Sequence, residues 1–308
     1  MKKQVLNIIR KVAGTAKLQK DVKKLRSDVV ESRYETRRYQ LVEHILHDTE
    51  SGVTSQKYTD HDIIVSLTTY GKRIHDVAFT IESIMQQSMK PNRIILWLDY
   101  SFQNKQLPQS LLNQQKRGLE IAFCEDLRSY KKLIPALHKY PHEAIVTFDD
   151  DLLYDYDILE HLITSYLEAP QCIHSCRGRQ MLYDQEHQLL PYIKWKLTDS
   201  EPGVIDDYFL TGGAGTLYPP GSLDVEVLNQ DVFMEICPLA DDVWFNAMAR
   251  KKGTVIKKAF TRNSQGDDFL VNESMQDVAL YKINQKGKML NDSQIKAVFT
   301  KYNLYEII

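Results

Sequence analysis

The chain has 308 residues, enough for one large domain or two ordinary ones with a buried core. Its 43% hydrophobic and 26% charged residues are near globular averages and exclude a disordered, collagen-like or low-complexity protein. The formal net charge of -2 excludes a protein built as a whole to coat nucleic acid, so we expect no nucleic-acid partner.

The first 40 residues form a basic arm on an acidic body, with twelve Lys and Arg residues against four Asp and Glu residues. Apolar residues recur there at helical spacing, at Val5, Ile8, Ile9, Val12 and Ala16. This spacing predicts an amphipathic helix with a cationic face, suited to contact with an anionic membrane surface. A helix that packs on its own domain or forms a short coiled coil has the same pattern.

The sequence contains no recognisable signal peptide or membrane span, because Arg10 and Lys11 interrupt the first apolar run and no run of about 18 uncharged apolar residues occurs. We therefore expect a cytoplasmic protein, with peripheral contact at the inner face of the plasma membrane through residues 1–40. The four cysteines are too few and too scattered for a disulfide framework, which predicts reduced thiols. Cys172, His174 and Cys176 lack the second ligand pair that a zinc site needs.

The body alternates strands and helices. Short apolar and β-branched runs predict four buried strands, at 63–67, 94–98, 119–123 and 144–148. Helical spacing predicts helices between them, one with Val77, Ile81, Ile84 and Met85, one after Pro108, and one with Leu133 and Leu137. Four such units predict an α/β fold with an open, mostly parallel sheet and helices on both faces.

Polar residues collect where these strands end, which is where ligands bind in such sheets. They are Thr68, Thr69, Tyr70, Asp99, Glu125, Asp126 and the triplet Asp149–Asp151. No Gly-rich dinucleotide fingerprint follows the first strand and no GxxxxGK[ST] loop occurs, which argues against a Rossmann dehydrogenase and a P-loop NTPase.

The aspartate triplet carries the strongest chemical signal. On an extended backbone Asp149 and Asp151 point to the same side and repel each other unless a cation neutralises them. Oxygen ligands of this kind suit Mn or Mg, with water and substrate phosphates completing the coordination. The alternative is a solvated acidic turn that caps the next helix.

Three segments together resemble GT-A-fold glycosyltransferases, in particular family 2-like bacterial enzymes of surface polysaccharide synthesis. They are Thr68–Arg73 (TTYGKR), Lys131–Leu137 (KKLIPAL) and Phe148–Leu152 (FDDDL), and the resemblance spans about residues 62–265. It implies that Asp149 and Asp151 hold a divalent cation that binds the diphosphate of a nucleotide sugar, most commonly a UDP-sugar. It implies donor contacts from Thr68, Thr69, Tyr70, Arg73, Asp99, Lys131, Lys132, Asp149 and Asp150.

Two later segments extend the resemblance to the acceptor side. Gly212, Gly213, Ala214 and Gly215 let the backbone approach a ligand closely or make a plain tight turn, and Trp244 is expected beside a sugar. The pair Asp241 and Asp242 resembles the E-D pair of the family, here D-D, which implies Asp242 as the general base and Asp241 as the second choice. Helix capping is the alternative for both acids.

The family often adds a C-terminal His as metal ligand, but no histidine follows His187. A third ligand is therefore expected from Asn263, Asp267, Asp268 or water.

We expect three parts: a helical arm at 1–57, a transferase domain at 58–265 divided into donor (58–151) and acceptor (152–265) halves, and a helical extension at 266–308. The expected function is metal-dependent transfer of a hexose to a glycan or lipid-linked saccharide in capsule or lipopolysaccharide synthesis, with inversion. The alternatives are a non-catalytic glycan-binding or scaffold protein, and a sugar nucleotidyltransferase, for which a Gly-rich loop after the first strand would be expected. An aspartate-nucleophile phosphatase carries its D-x-D on the first strand, not the fourth.

Overall fold

An eight-stranded sheet organises the protein. The computed structural model describes residues 2–198, 201–262, 268–271 and 290–306, with only the backbone given for 2–16, 290 and 306. The helices are α1 Lys2–His47, α2 Val77–Met85, α3 Gln109–Gln115, α4 Ile134–Lys139, α5 Ile158–Glu168, α6 Gln230–Ile236, α7 Asp241–Lys252 and α8 Leu290–Tyr302. The strands are β1 Ile63–Thr68, β2 Arg93–Asp99, β3 Leu119–Cys124, β4 Ala144–Thr147, β5 Leu152–Tyr154, β6 Ile173–Ser175, β7 Gly178–Gln180, β8 Lys196–Leu197, β9 Gly203–Val204, β10 Tyr208–Leu210, β11 Thr216–Tyr218, β12 Ile256–Lys258 and β13 Phe269–Val271.

The strand order in the large sheet is β3-β2-β1-β4-β11-β6-β12-β9. The first four strands run parallel, whereas β11 runs antiparallel to both β4 and β6. The expected fold class, an open and mostly parallel α/β sheet flanked by helices, is confirmed. The four predicted strands are all present and are adjacent in this sheet.

Strand β1 is buried on both faces, because its residues alternate between two hydrophobic cores. Ile63, Val65 and Leu67 face the core that contains Val77 and Ile81 of α2. Ile64 belongs to the opposite core, together with residues of α7 and α8. A continuous apolar run is what such a doubly covered strand requires, and for this reason β1, β2 and β4 are readable from the sequence, whereas the edge strand β3 is mostly half-buried.

Helix α1 is continuous over 46 residues and packs on the body through its C-terminal part. Tyr34, Leu41 and Ile45 are its buried apolar side chains. Below them Arg117 donates to Asp48 at 3.1 Å and to the buried Glu82 at 2.8 Å, which ties the end of the arm to α2. The predicted apolar stripe at residues 5–16 lies outside the described side chains. Within the described residues, no helix combines the length and apolarity that crossing a bilayer requires.

The C-terminal elements also pack on the body. Strand β13 pairs antiparallel with β5, and α8 lies against α7. Ile295 and Val298 are buried in α8. The predicted domain boundaries stay predictions.

Candidate active site

Lys132 lies at the carboxyl ends of β1 and β4, the edge of the sheet where a ligand crevice is expected. Its side chain is buried, and its Nζ is 2.9 Å from Asp149 Oδ1 and 3.0 Å from Asp241 Oδ2. Burial alone would lower the pKa of Lys132, but the carboxylates of Asp149, Asp241 and Asp242 outweigh it and hold that pKa well above its usual value. A permanently charged ammonium therefore joins the aspartate triplet to the start of α7.

Asp242 stands at the start of α7 and faces the glycine-rich segment. Its Oδ1 accepts a hydrogen bond of 3.0 Å from the backbone N–H of Gly212. Burial and then the neighbouring Asp241 raise the pKa of Asp242 to about 7, while Lys132 opposes the rise. A carboxyl group whose pKa is raised toward neutrality can take up and release a proton near neutral pH, which suits a general base.

The glycine-rich segment brings backbone close to the triplet. Gly212–Ala214 forms a single 3-10 turn, and Gly215 follows with φ of 105°. A Cβ built on Gly213 would lie 3.0 Å from Asp149 Oδ2, and one on Gly215 would lie 2.7 Å from the Phe148 ring. Glycine is therefore required here for two reasons: the backbone comes close to Asp149 and Phe148, and it makes a turn.

Tyr154 connects the glycine-rich segment to the triplet, and sequence reasoning did not select it. Its hydroxyl accepts from the backbone N–H of Asp149 at 3.0 Å and donates to the carbonyl of Gly213 at 2.7 Å. Asn246 was also missed; it bonds the carbonyl of Asp242 at 2.6 Å and both backbone groups of Leu210 at 2.9 Å. The i,i+4 spacing from Asp242 on α7 is the sequence signal that could have found it.

The triplet does not continue the strand. Strand β4 ends at Thr147, and Asp150 and Asp151 lie in a turn, so the expectation of an extended backbone with alternating side chains was wrong. Asp149 faces Lys132, whereas Asp150 and Asp151 both face Arg73, at 2.6 and 3.2 Å.

Asp150 is a buried carboxylate that connects the triplet to the segment after β1. It accepts from Arg73 and, at 2.5 Å, from the hydroxyl of Thr69. Burial raises the pKa of Asp150, and Arg73 and Thr69 oppose that rise. Thr69 and Arg73 are themselves buried, and their bonds to Asp150 fix the position of the triplet.

Thr68 and Tyr70 flank Thr69 in the chain. The Thr68 hydroxyl donates to the carbonyl of Trp97 at 2.8 Å. Tyr70 is exposed, and the Arg73 guanidinium lies 5.1 Å from the centre of its ring.

Lys131 and Asp99 form a separate cluster. Lys131 Nζ is 2.9 Å from Asp126 and 3.6 Å from Asp99, whose carboxylate also accepts from the backbone N–H of Ser101. The adjacent residues Lys131 and Lys132 thus form ion pairs with two different groups of acids.

Trp244 does not line the crevice. Its side chain is 0% exposed, packs near Phe233 and Tyr302, and donates to the carbonyl of Val227. The expected sugar contact is wrong for this residue, because α7 turns it into the core.

The crevice offers hard oxygen ligands for a divalent cation in Asp149, whose side chain is 35% exposed, and Asp151. Within the described ranges, no third His, Cys, Asp or Glu joins them in a compact ligand set. Asp268, one expected third ligand, is buried and accepts from Arg262 instead. Asn263 and Asp267 lie outside the described residues. Asp149 and Asp151 supply carboxylate oxygens, the type of ligand that a cation with water and diphosphate as its other ligands takes.

A different group has the spacing of a metal-ligand set, at the junction of α1 and α2. It comprises His44, Asp48 and Glu82. Arg117 already donates to both of its carboxylates, so an ion network accounts for this arrangement.

Comparison with solved structures finds similar chains at low sequence identity. S. aureus TarS 1-349 is similar over 80% of this chain and 72% of that chain, with TM-score 0.47 and 15% identity. The same protein in complex with UDP is similar over 64% of this chain and 57% of that chain, with TM-score 0.42 and 11% identity. The chain therefore spans less than two thirds of this second structure. No family model matches the sequence, and a search of the curated proteins gives no match.

Proposed function

We propose that this protein transfers a sugar from a nucleoside diphosphate to a hydroxyl group of a glycan or lipid-linked saccharide. The observation that carries the proposal is the link through Lys132 between Asp149 of the triplet and the acids that begin α7. This link supports a donor site and a base in one crevice at the carboxyl ends of parallel strands, where ligands of such sheets bind.

Asp242 is the proposed general base. It removes the proton of the acceptor hydroxyl while the acceptor oxygen bonds to the anomeric carbon and the bond from that carbon to the phosphate oxygen breaks. The electron pair of the broken bond leaves with the nucleoside diphosphate. Direct displacement of this kind inverts the anomeric configuration, and a positioned base contributes about 100- to 10,000-fold.

Asp149 and Asp151 would hold the divalent cation, Mn or Mg. When bound, such an ion stabilises the negative charge that grows on the leaving diphosphate. Lys132 adds a positive charge next to Asp149. Its ion pairs with Asp149 and Asp241 hold these two carboxylates in fixed positions relative to each other. Tyr154 and the glycine-rich segment lie next to Asp149, where the Tyr154 hydroxyl bonds to the backbone of both Asp149 and Gly213.

The donor base, the hexose class and the setting in capsule or lipopolysaccharide synthesis stay predictions of the sequence resemblance. Peripheral contact with a membrane stays a prediction of the apolar spacing and basic charge of residues 1–40. These depend on a few contacts at the rim of the crevice and on the arm.

The test is a binding and hydrolysis screen of the purified protein against nucleotide sugars, with Mn, Mg or EDTA. Wild type is compared with Asp242→Asn, Asp151→Asn and the control Asp231→Asn, an exposed aspartate in the first turn of α6. We expect metal-dependent binding of one donor, lost in Asp151→Asn and kept in Asp242→Asn and Asp231→Asn. Donor hydrolysis or transfer should be lost in Asp242→Asn. Absence of binding under every metal condition would favour the non-catalytic scaffold.

A further inference from the structure

Helix α1 carries a stripe of exposed apolar side chains on the side that faces away from the body. Leu18, Val22, Leu25 and Val29 are separated by four, three and four residues, and their exposed fractions range from 42% to 64%. This spacing is that of a heptad, in which Leu18 and Leu25 take position d and Val22 and Val29 take position a. Exposing four such side chains in one row is costly in water unless another surface covers them.

The exposed apolar side chains of α1 are confined almost entirely to this stripe and are not scattered over the helix. Within residues 17–47, seven large apolar side chains of α1 are exposed, and six of them occupy a or d positions of this one heptad register. The six are Leu18, Val22, Leu25, Val29, Tyr39 and Leu46, and the exception is Val30.

The attachment of α1 to the body leaves this stripe accessible. Tyr34 and Leu41, which are buried against the body, are seven residues apart and both take position f, opposite the a/d seam. A partner helix could therefore lie along residues 18–29 without displacing α2 or α3, whereas Ser32 and Thr36, the next d and a positions, line a cleft with Leu153 and Leu270 of the body.

We propose that the stripe is the seam of a parallel two-stranded coiled coil with a second copy of this chain. Valine at a with leucine at d is the combination that favours two parallel strands. The flanking charges select the same arrangement. Position g is Asp21 and then Asp28, while position e is Arg26 and then Arg33.

In a parallel pair, each g residue meets the e residue five positions later on the partner helix. Asp21 then faces Arg26 of the second copy, and Asp28 faces Arg33 of the second copy. In an antiparallel pair g meets g and e meets e, so aspartates would face aspartates. The charge pattern therefore favours the parallel homodimer over the antiparallel one.

The dimer leaves the basic face of the arm outward. Lys20, Lys23 and Lys24 take positions f, b and c, away from the seam. Pairing of α1 thus covers the apolar stripe and keeps the cationic surface in solvent. This inference is independent of the proposed transferase activity.

The first test measures the mass of the full chain by light scattering and sedimentation between about 1 and 100 μM, because a seam of about two apolar heptads gives a moderate affinity. We expect a monomer–dimer equilibrium that Val29→Glu weakens at least about tenfold. The matched control is Val30→Glu, one residue away and also exposed, which should leave the equilibrium unchanged. A wild-type chain that stays monomeric, or equal effects of the two substitutions, would overturn the proposal.

The second test determines whether the two copies of α1 run parallel. Leu25→Cys should form a disulfide with its own counterpart on oxidation, whereas Val30→Cys at position b should not. Asp21→Arg should weaken the dimer, and the double variant Asp21→Arg with Arg26→Asp should restore it. Failure of the Leu25→Cys variant to cross-link would contradict the parallel seam. Binding of a monomeric chain to anionic phosphatidylserine vesicles, lost in Val29→Glu, would assign the stripe to a membrane instead.

Discussion

Asp242 sets the expected dependence of catalysis on pH. A general base works in its ionised form, and the pKa of Asp242 is raised to about 7, so kcat/KM should rise with pH through about 7 and then level off. Asp242→Asn should reduce the rate by about 100-fold or more and remove this inflection. Measurement of kcat/KM from about pH 5 to about pH 9 checks both, and Asp231→Asn should keep the wild-type profile.

The same carboxyl group makes folding stability depend on pH. Because its pKa is higher in the folded chain than the usual value of 3.8, the folded state binds more protons between about pH 4 and 7, and the free energy of unfolding falls as pH rises through that window. Asn carries no such charge. We expect Asp242→Asn to gain on the order of 1 kcal/mol relative to wild type between about pH 5 and about pH 8. Urea unfolding at the two pH values measures it; a constant difference would contradict the raised pKa.

Lys131 and Lys132 are neighbours with unequal roles. Lys132 lies among buried acids, so Lys132→Met leaves uncompensated carboxylates and should lower the free energy of unfolding by about 3 kcal/mol. Lys131 is buried too, but the side chain of Asp126, its nearest partner, is 65% exposed and stays solvated without the lysine, so Lys131→Met should cost only about 1 kcal/mol. Urea denaturation of both variants at about pH 8 provides the comparison. Equal losses would show that Lys132 is not the central cation.

This lysine pair also marks the limit of sequence reasoning. The sequence places two lysines before β4, but the 3-10 turn at 128–132 decides which of them reaches Asp149. The triplet was recognisable because it follows a buried strand, whereas its side-chain directions depend on a turn that the residues alone do not specify. Trp244 was misplaced for a similar reason, since the phase of α7 relative to the core is set by packing.

Among the elements, length and burial decided what could be predicted. Strands β1, β2 and β4 are runs of four to seven residues that are largely buried and rich in Ile, Leu and Val, so their pattern stands out, whereas only Leu119 of β3 is fully buried. Strands β5 to β13 have two or three residues each, too short for a period to show. Their pairing comes from long-range contacts, such as β13 with β5 and β11 with β4.

The turn that precedes β11 depends on glycine. Gly215 has φ of 105° and a Cβ there would lie 2.7 Å from Phe148, so Gly215→Ala combines backbone strain with a clash and should lower stability by about 2 kcal/mol or more. Gly221 also has positive φ, but nothing lies within 4 Å of its Cβ position. Gly221→Ala should therefore cost only about 1 kcal/mol. Thermal melts of both variants test this, and equal shifts would contradict the close approach.

At the scale of the whole molecule, the arm divides at Tyr34. Residues 18–29 expose their apolar stripe, whereas Tyr34, Leu41 and Ile45 are buried on the body. Deleting residues 2–33 should therefore leave the melting temperature of the body within about 2 °C of the full chain, because the side chains described there, those of residues 17–33, are all exposed.

Deleting residues 2–47 should act differently, because it uncovers the surface under Leu41 and Ile45 and removes the helix end that leads to the Asp48–Arg117 pair. We expect a fall of at least about 5 °C or aggregation. Calorimetry at low protein concentration, where pairing of arms contributes little, separates the two deletions. If the shorter deletion lost as much stability as the longer one, the first part of α1 would be part of the body's fold, and its apolar stripe would have to be covered within one chain.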